Sequence, residues 1–469
     1  MKTAKAQNST PVLKIKNFGP FKDATINLAD FLIIIGKNAT GKSLLLYLLW
    51  SLESILPDFS TWVTYMRDYD IIIKRALNKL SSGSNPHEEI REYLEKALQY
   101  FPKAWSISLK ENLPKVLGMN LNEIPRLGTN EAIINITGDY ASLKISIKEG
   151  EVKAFWEKLD ASVMNLFTIE NYGTKYLIIK LTPQGLPEEI LKYVIETEYD
   201  LAKMIMTGLV IFTLNMALGL IPGIQTQPLL VDGRAGIIRA IYRGYPGAAL
   251  TLREFLKEVL LPDINFVELT YELVKDYSKG LIDTEAIPLK HLLSELGFEI
   301  IIRDEFGISR AYIKPRVGPT IPFEKAPSGI RESLPLILAL LRKRGYESIY
   351  IEEPETHLHP RAIRLLARLM AYTVNKYDKS IAVTTHSDYL LYQVSNLIAL
   401  SRLSEKELTK LGYTPLEVLK PEQVSAYLLE TTKDYVKVKK LNITNEGIDE
   451  EAFEEVSREL LEERTNILG

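Results

Sequence analysis

The sequence predicts an α/β fold, and two apolar, strand-like segments with chemically distinctive ends support this prediction. The first, Phe31 to Ile35, is wholly apolar, which is typical of a strand that is buried on both faces. A glycine-containing loop and the apolar run LLLYLLWSL follow it, which indicates a strand, a turn and a helix in direct succession. The second segment, Ser348 to Ile351, runs directly into the acids Glu352 and Glu353.

Length and composition bound the kinds of chemistry that the chain can carry. Its 469 residues correspond to about three structural units at roughly 150 residues each. The 57 basic and 60 acidic residues give a net charge of −3, which argues against a wholly basic nucleic-acid coat but leaves a local basic patch open. The absence of cysteine excludes disulfides, thiol nucleophiles and cysteine-type zinc sites. This composition fits an intracellular chain, and we expect a cytoplasmic one.

One segment is long and apolar enough to raise the question of a membrane span. From Met204 to Val231 no charged residue occurs. Threonine, asparagine and glycine interrupt the segment, Pro222-Gly223 breaks it, and it lacks aromatic belts at its ends. We therefore expect a buried central helix, and membrane association is the less favoured alternative.

Elsewhere the periodicity of apolar residues outlines the remaining organisation. Alternation of apolar and basic residues predicts a strand at the start, and glycines separate further strands in the middle of the chain. The predicted elements are an opening strand at 12–18, a β-rich stretch at about 130–182, a helical stretch at about 187–296, a hairpin at 297–314, a helix from Ser328 to Arg344, a helix from Pro360 and an acidic helix from Asp449.

The loop after the first strand has the spacing of a phosphate-binding motif. It fits G-x-x-x-x-G-K-[ST], in which glycines let backbone N–H groups face phosphates, the lysine reaches the β- and γ-phosphates, and the hydroxyl meets Mg²⁺. The strand before it and the helix after it provide the required context. We predict nucleotide binding by Gly36, Lys37, Asn38, Ala39, Thr40, Gly41, Lys42 and Ser43.

The acids after the second strand suit the same nucleotide site. The first, Glu352, would hold Mg²⁺, and the second, Glu353, would polarise the attacking water. A solvated acidic turn is the alternative. These acids, with Glu355, His357 and His359, could also form a transition-metal site, unless the two histidines merely brace the turn before the next helix.

These segments, taken together, resemble a known family. The opening LKIKNFGPFKDATINL, with the loop, resembles the N-terminus of ABC-type ATPases of the SMC, RecF and OLD kind. EEPETHLHPRA is similar to the Walker B segment of the OLD-like AAA subgroup, and IAVTTHSDYLL to its switch-histidine segment. APSGIRESLPLILALL lies where the ABC signature helix belongs, and LLVDGRAGIIRAIY is similar to an arginine-bearing motif of the subgroup.

The resemblance implies a role for each matching residue. Lys42 and Ser43 would bind phosphate and Mg²⁺, and Glu352 would assist the metal. Glu353 would be the general base, and His386 would contact and sense the γ-phosphate.

Other implied roles involve a second subunit or the middle of the chain. Ser328 and Gly329 would contact the γ-phosphate held by a second subunit, although Ser328 could instead be an ordinary N-cap. Arg234 could contact phosphate or form a structural ion pair. The signature lacks a paired glycine, Glu352 stands where ABC ATPases usually have aspartate, and Gln99 is a weak candidate for the Q-loop.

From this resemblance we expect a P-loop NTPase of ABC/RecF-like type with a large mixed insertion. Residues 1–57 and 320–410 would form the split ATPase core, 58–319 an inserted lobe, and 411–469 a C-terminal cap. Long SMC coiled coils are absent, and no D-x-D follows a strand in the 83 residues after His386, so we expect no TOPRIM nuclease domain.

The expected function is Mg²⁺-dependent ATP hydrolysis by a nucleotide-gated dimer or higher oligomer. A role in DNA repair or defence, with a separate nuclease or other effector, follows from the resemblance alone, and DNA binding has little support from the charge. The main alternative is a nucleotide-gated scaffold or regulatory subunit with negligible turnover on its own. The motor subunit of a membrane transporter is disfavoured by the altered signature and the large insertion.

Overall fold

A computed structural model describes residues 10–57, 59–66, 69–171, 176–181, 189–197, 200–201, 204–219, 227–231, 261–305 and 308–449. These residues fall into two compact units. The first unit draws on 10–28 and 47–227, and the second on 29–46 and 228–449. The predicted division into a split core, an inserted lobe and a cap places its boundaries elsewhere and stays a prediction.

The strands of the described ranges occur in both units. In chain order they are β1 (Val12–Phe18), β2 (Phe21–Asn27), β3 (Phe31–Gly36), β4 (Glu131–Thr137), β5 (Ala141–Lys148), β6 (Glu151–Leu159), β7 (Phe167–Asn171), β8 (Tyr176–Leu181), β9 (Glu189–Val194), β10 (Leu229–Leu230), β11 (Phe298–Glu305), β12 (Ile308–Pro315), β13 (Ile321–Pro322), β14 (Ser348–Glu352), β15 (Ser380–Thr385), β16 (Val424–Thr431), β17 (Val436–Lys440), β18 (Ile443–Thr444) and β19 (Gly447–Ile448).

The helices of the described ranges are mostly short, with one of 31 residues. They are α1 (Lys42–Ser54), α2 (Phe59–Tyr65), α3 (Tyr69–Ser81), α4 (His87–Leu117), α5 (Ile211–Leu218), α6 (Leu261–Ser278), α7 (Ile287–Leu296), α8 (Ser328–Leu341), α9 (Pro360–Tyr377), α10 (Asp388–Ala399) and α11 (Glu405–Lys410).

A parallel sheet organises the second unit and confirms the predicted α/β fold. Its strand order is β10–β14–β15–β3–β16, all parallel, and β17 pairs antiparallel with β16. Ile33 of β3 pairs with Val383 on one side and Ala426 on the other. All six residues of β3 are buried, as the apolar run predicts. Because these strands are parallel, the segments that follow β3, β14 and β15 leave the sheet at the same edge.

The neighbour of β3 that the sequence did not reveal is β16. It lies within 411–469, which the sequence assigns to a C-terminal cap, yet it pairs with β3 along six positions from Val424 to Leu429. The run VSAYLL is buried at every position except Leu428, which is half-buried. This continuous apolar character is the same signal that identifies β3 as a strand buried on both faces.

Helices pack on this sheet to form the core of the second unit. Every residue of α8 from Ser333 to Leu341 is buried, and the apolar faces of α9 and α10 belong to the same core. The helix predicted from Ser328 to Arg344 thus ends earlier, at Leu341, and Arg342 leaves it in an extended conformation. The predicted hairpin is present as β11 and β12.

The first unit contains an antiparallel sheet in the order β2–β1–β4–β5–β6. Its strands alternate buried apolar and more exposed polar residues, as the opening periodicity predicts. A separate antiparallel sheet holds β7, β8 and β9. The last of these strands lies in the stretch predicted to be helical, because Glu189–Val194 finds a pairing partner in β8 that local periodicity does not indicate.

The charge-free segment from Met204 to Val231 is helical over its first part, whereas its end forms strand β10 at Leu229–Leu230. A π-helical stretch, Ile205–Val210, continues into α5, whose C-cap is Gly219 with a φ of 65°. Leu209, Leu214 and most other apolar side chains described here are buried. Among the described residues, no helix combines the length and apolar character needed to cross a membrane. Residues 220–226, Arg234 and the predicted helix beyond Asp449 lie outside the described residues.

Candidate functional site

The phosphate-binding loop connects β3 to α1 through a tightly curled backbone. Ala39 and Gly41 both have positive φ, 61° and 89°, so the loop passes through the left-handed region twice. A Cβ atom on Gly36 would lie 2.8 Å from Thr40 Oγ1 and 2.9 Å from the Cβ of Leu429 in β16. Only glycine therefore fits at the start of this loop. The Thr40 hydroxyl donates to the backbone oxygen of Lys37 at 2.8 Å and braces the curl from inside.

Lys42 begins α1 and directs its ammonium group toward the loop and the neighbouring strand ends. Its side chain is only 4% exposed, and Nζ donates to the backbone oxygen of Lys37 at 3.2 Å. The same Nζ lies 2.9 Å from His386 Nε2 and 3.8 Å from Glu353 Oε1. Burial lowers the pKa of Lys42, and the surrounding carboxylates, chiefly Glu353, oppose that effect. A cation is thus held where the motif predicts phosphate binding.

The two predicted acids occupy different backbone environments. Glu352 is the last residue of β14 and pairs with Thr384 of β15. Glu353 follows with a φ of 43°, and its N–H donates to the Thr384 oxygen at 3.0 Å. A left-handed conformation is uncommon for a glutamate and is a feature of strained turns at functional sites.

His386 follows β15 and completes the cluster. Its Nε2 lies 2.7 Å from Glu353 Oε1, so the imidazole contacts both Glu353 and Lys42 through one nitrogen. That nitrogen donates to the carboxylate when it is protonated and accepts from the ammonium when it is not. The structure therefore brings together Lys42, Glu353 and His386, three of the predicted site residues, from the segments that follow three strands.

Ser328 and Gly329 lie at the start of α8, beside the turn that follows β14. The N-cap of α8 is Pro327 and Ser328 is the first helical residue, so the alternative of Ser328 as the N-cap is wrong. Ser328 is exposed. A Cβ on Gly329 would lie 3.0 Å from the backbone oxygen of His357, which shows how closely the helix start approaches that turn. Contact of either residue with a second subunit stays a prediction.

The described residues do not form the transition-metal site that the acids and histidines after β14 could have provided. Within the described ranges, no group of three or more histidines and acids is arranged to hold a metal. His359 instead caps α9, where its Nδ1 accepts from the Arg361 N–H at 3.4 Å. Mg²⁺ differs, because it keeps several waters and needs only one or two protein oxygens besides the phosphates. The hydroxyl of Ser43 and the carboxylate of Glu352 are two protein oxygens that suit Mg²⁺.

Glu355 is a functional candidate whose partners the sequence does not indicate. Its Oε1 accepts from Thr385 Oγ1 at 2.7 Å and from the His386 N–H at 2.8 Å. Burial raises the pKa of Glu355, although both hydrogen bonds oppose the rise. In the sequence, Glu355 stands out only as the third acid of the run EEPE. That run suggests a metal ligand and does not indicate the contacts with Thr385 and His386.

Two protein-family models match separate parts of the chain. A family described as "AAA ATPase domain" matches residues 12–166, which include the phosphate-binding loop. A family described as "AAA domain, putative AbiEii toxin, Type IV TA system" matches residues 252–391, which include Ser328, Glu353 and His386. Both parts of the chain that supply the Lys42 cluster therefore match AAA families. No curated protein matches the chain.

Solved structures of SMC head domains are similar to the chain over most of its length. The SmcHead bound to the C-winged helix domain of ScpA is 13% identical with a TM-score of 0.38, covering 92% of this chain and 97% of that one. The SMC head domain from Thermotoga maritima is 10% identical with a TM-score of 0.36, covering 93% and 99%. The Smc head domain with an extended coiled coil, bound to the C-terminal domain of ScpA derived from Pyrococcus furiosus, is 12% identical with a TM-score of 0.36, covering 97% and 100%. These values are too low to transfer any property of those proteins to this chain.

Proposed function

We propose that this ABC-like ATPase of the AAA class binds ATP at residues 36–43 and hydrolyses it with Mg²⁺. One observation carries the proposal: the Lys42 ammonium, the Glu353 carboxylate and the His386 imidazole meet at one sheet edge, with Nζ 2.9 Å from Nε2 and Nε2 2.7 Å from Oε1. Phosphoryl transfer depends on positioned charges and an oriented nucleophile, and this cluster supplies a cation, a carboxylate and an imidazole.

Each of these groups has a step to perform. The loop amides and Lys42 bind the phosphates, and the carboxylate of Glu353 accepts a proton as water attacks the γ-phosphorus and the bond to ADP breaks. His386 contacts the γ-phosphate. Lys42 and His386 both contact Glu353, so phosphate oxygens that attract these two groups would release the carboxylate for the water.

The metal would be held by Ser43 and Glu352. Ser43 lies in the first turn of α1, and Glu352 ends β14. Bound Mg²⁺ neutralises charge on the phosphates during transfer. The residues of the chain supply the remaining functions, namely binding, orientation and proton acceptance.

Ser328 and Gly329 would act on the nucleotide of a second subunit. Ser328 is exposed at the start of α8, a helix of 14 residues, and helix starts attract anions. Closure of this helix start over ATP bound by another copy would produce a nucleotide-gated dimer or higher oligomer. The domain division into 1–57 with 320–410, 58–319 and 411–469 belongs to the same proposal.

The biological setting is a role in DNA repair or defence with a separate effector protein, in the cytoplasm. Support comes from the resemblance and from the matched family, whose description names a Type IV TA system. The rival proposal is a scaffold that binds ATP and associates but has negligible turnover. In favour of the rival, His386 and Lys42 both contact the Glu353 carboxylate, and these contacts would compete with a water molecule for it.

A complementation assay tests both hydrolysis and the two-subunit arrangement. Lys42→Ala disables the loop of one copy, and Ser328→Arg blocks the helix start of the other. Each variant alone should hydrolyse ATP poorly, and mixing them should restore activity because one composite site keeps an intact loop and an intact helix start.

Three results would contradict parts of the proposal. Wild-type turnover no faster than that of Glu353→Gln, with ATP still bound, would favour the scaffold. Full activity of Ser328→Arg alone would exclude the trans contact. Absence of ATP binding by the wild-type chain would exclude the nucleotide function altogether. Glu285→Gln removes an exposed carboxylate that forms an ion pair with Lys290 at 2.7 Å, and it is the matched control.

A further inference from the structure

Glu355 connects two loops that emerge from neighbouring strands. It lies in the turn after β14, two residues beyond Glu353. Its Oε1 accepts from the Thr385 hydroxyl at 2.7 Å and from the His386 N–H at 2.8 Å, at the end of β15. One carboxylate oxygen therefore accepts from the side chain of Thr385 and from the main chain of the next residue, His386.

These two hydrogen bonds continue into the start of α10. Thr385 is fully buried, and its Oγ1 also accepts from the Ser387 N–H at 2.9 Å. The Ser387 hydroxyl in turn accepts from the Leu390 N–H and caps α10. The backbone on both sides of His386 is thus fixed by side-chain hydrogen bonds that begin at Glu355.

The second oxygen of Glu355 has a different environment. Oε2 is buried and makes no hydrogen bond within the part of the chain that the structure describes. All hydrogen bonds from this side chain to the β15 end therefore pass through Oε1. A side chain with an acceptor oxygen at the position of Oε1 should therefore keep the hydrogen bonds to Thr385 and His386, whether or not it is charged.

We propose that Glu355 is a positioning residue for the proposed ATPase reaction, because its carboxylate fixes the main chain of His386 and thereby holds the imidazole against Glu353. The side chain touches neither nucleotide nor water in this role. Its contribution is to fix the position of the turn that carries Glu353 relative to the loop that carries His386. In that position His386 Nε2 lies 2.7 Å from Glu353 Oε1. Displacement of a reacting group by about 1 Å can lower a rate about 10²-fold.

Variants at Glu355 separate positioning from a merely structural role. Glu355→Ala removes both acceptor contacts, so kcat should fall about 10²-fold while the Kd for ATP changes little, because the loop is intact. Glu355→Gln keeps an oxygen for Thr385 and His386, and its kcat should stay within about threefold of wild type. Its NH₂ group would replace the buried Oε2, so its thermal midpoint should fall. A merely structural residue would lose kcat in parallel with stability in both variants.

Thr385 provides a second pair if a Glu355 variant does not fold. Thr385→Val removes one of the two hydrogen bonds to Glu355 and should lower kcat about tenfold, whereas Thr385→Ser should restore it. Glu285→Gln should match wild type in both series. Equal kcat in Glu355→Ala and wild type, or a Glu355→Gln variant as slow as the alanine variant, would overturn the proposal.

A spectroscopic measurement distinguishes failure of this inference from failure of the ATPase proposal. The chain has five histidines, so the imidazole ¹⁵N signals of histidine-labelled protein can be resolved and that of His386 assigned with His386→Gln. Glu355→Ala should move the His386 signal and leave those of His87 and His291 in place. An unmoved His386 signal overturns the positioning role, whereas a moved signal in a protein without ATPase activity supports it and refutes the proposed reaction.

Discussion

His386 Nε2 lies 2.7 Å from Glu353 Oε1, although the two residues follow different strands, β15 and β14. Lys42 Nζ lies 2.9 Å from the same nitrogen. One nitrogen cannot donate to the carboxylate and accept from the ammonium at once. The two contacts therefore need different hydrogen positions on this nitrogen, and we expect a phosphate oxygen that attracts Lys42 or His386 to favour one of them.

Glu353→Gln should slow turnover strongly and preserve ATP binding. The amide keeps the shape of the side chain but cannot accept the proton from water, so kcat should fall by about 10²-fold or more. ATP should then remain bound and hold subunits together. Single-turnover hydrolysis, with light scattering on a sizing column run in ATP, measures both effects, and Glu285→Gln serves as the exposed control. Hydrolysis at the wild-type rate would exclude Glu353 as the base.

Lys42→Ala should weaken ATP binding itself. The Lys42 side chain is 4% exposed and its ammonium group is directed to the loop, so its loss should remove a charge-assisted contact to phosphate. A hydrogen bond to a charged group contributes about 1.5–3 kcal/mol, which corresponds to about 10–100-fold in Kd. Titration calorimetry measures this Kd, and Lys290→Ala at an exposed position is the control. An unchanged Kd would mean that other groups bind the phosphates.

Gly36→Ala should distort the loop from its first residue. The new methyl group would lie 2.8 Å from Thr40 Oγ1 and 2.9 Å from Leu429 Cβ, closer than a Cβ atom approaches other heavy atoms, so the loop or β16 must shift. Overpacking of this kind costs about 1–3 kcal/mol of folding free energy. We expect a lower thermal midpoint and a weaker Kd for ATP.

The matched change in the same loop is Ala39→Gly. Ala39 has a φ of 61°, which glycine adopts without strain, so this variant should be as stable as wild type or more stable by up to about 1 kcal/mol. Gly36→Ala with an unchanged midpoint and Kd would show that the loop tolerates a side chain at its base.

Lys379→Met should stabilise the protein at neutral pH and lose this advantage in alkali. Lys379 is 2% exposed, and burial, with the nearby Arg342 charge, lowers its pKa from 10.5 to about 7. Between about pH 7 and pH 10.5, Lys379 is protonated in the unfolded chain and has released its proton in the folded chain. The wild-type free energy of unfolding therefore rises with pH over this range. Below about pH 7 both states are charged, and the cost of burying the ammonium is fully present.

The measurement is the urea midpoint of both proteins at pH 6.5 and pH 9.5, as two chosen test conditions. The midpoint difference between Lys379→Met and wild type should be larger at the lower pH. Lys290→Met, at an exposed site, should show no such dependence. A difference that stays constant with pH would mean that Lys379 is not desolvated in the folded state.

The parts of the fold that local pattern determines were predictable. Phe31 to Ile35 is apolar throughout, and the loop after it has a fixed spacing, so β3 and the start of α1 needed no long-range information. The same holds for β14 and β15. In contrast, β16 is recognisable as a strand from VSAYLL, but nothing local says that it lies beside β3.

The candidate site divides in the same way. Lys42, Glu353 and His386 could be named because each belongs to a motif, and parallel pairing then brought their strand ends together. Glu355 could not be given its partners, since Thr385 lies 30 residues further along and only the register of β14 on β15 places it within 2.7 Å. Likewise, the close approach of Gly329 to His357 depends on how α8 packs, which periodicity does not specify.

The order in which the site is assembled from the chain has a consequence for biosynthesis. Lys42 meets His386, which is 344 residues later in the chain, and Gly36 packs on Leu429 of β16, which is later still. When the phosphate-binding loop leaves the ribosome, β15 and β16, the strands on either side of β3, have not yet been synthesised. At about 5–20 residues per second, many seconds pass before they emerge. The apolar β3 therefore lacks both of its partner strands during that interval, and the proposed nucleotide site is complete only after β16 has emerged.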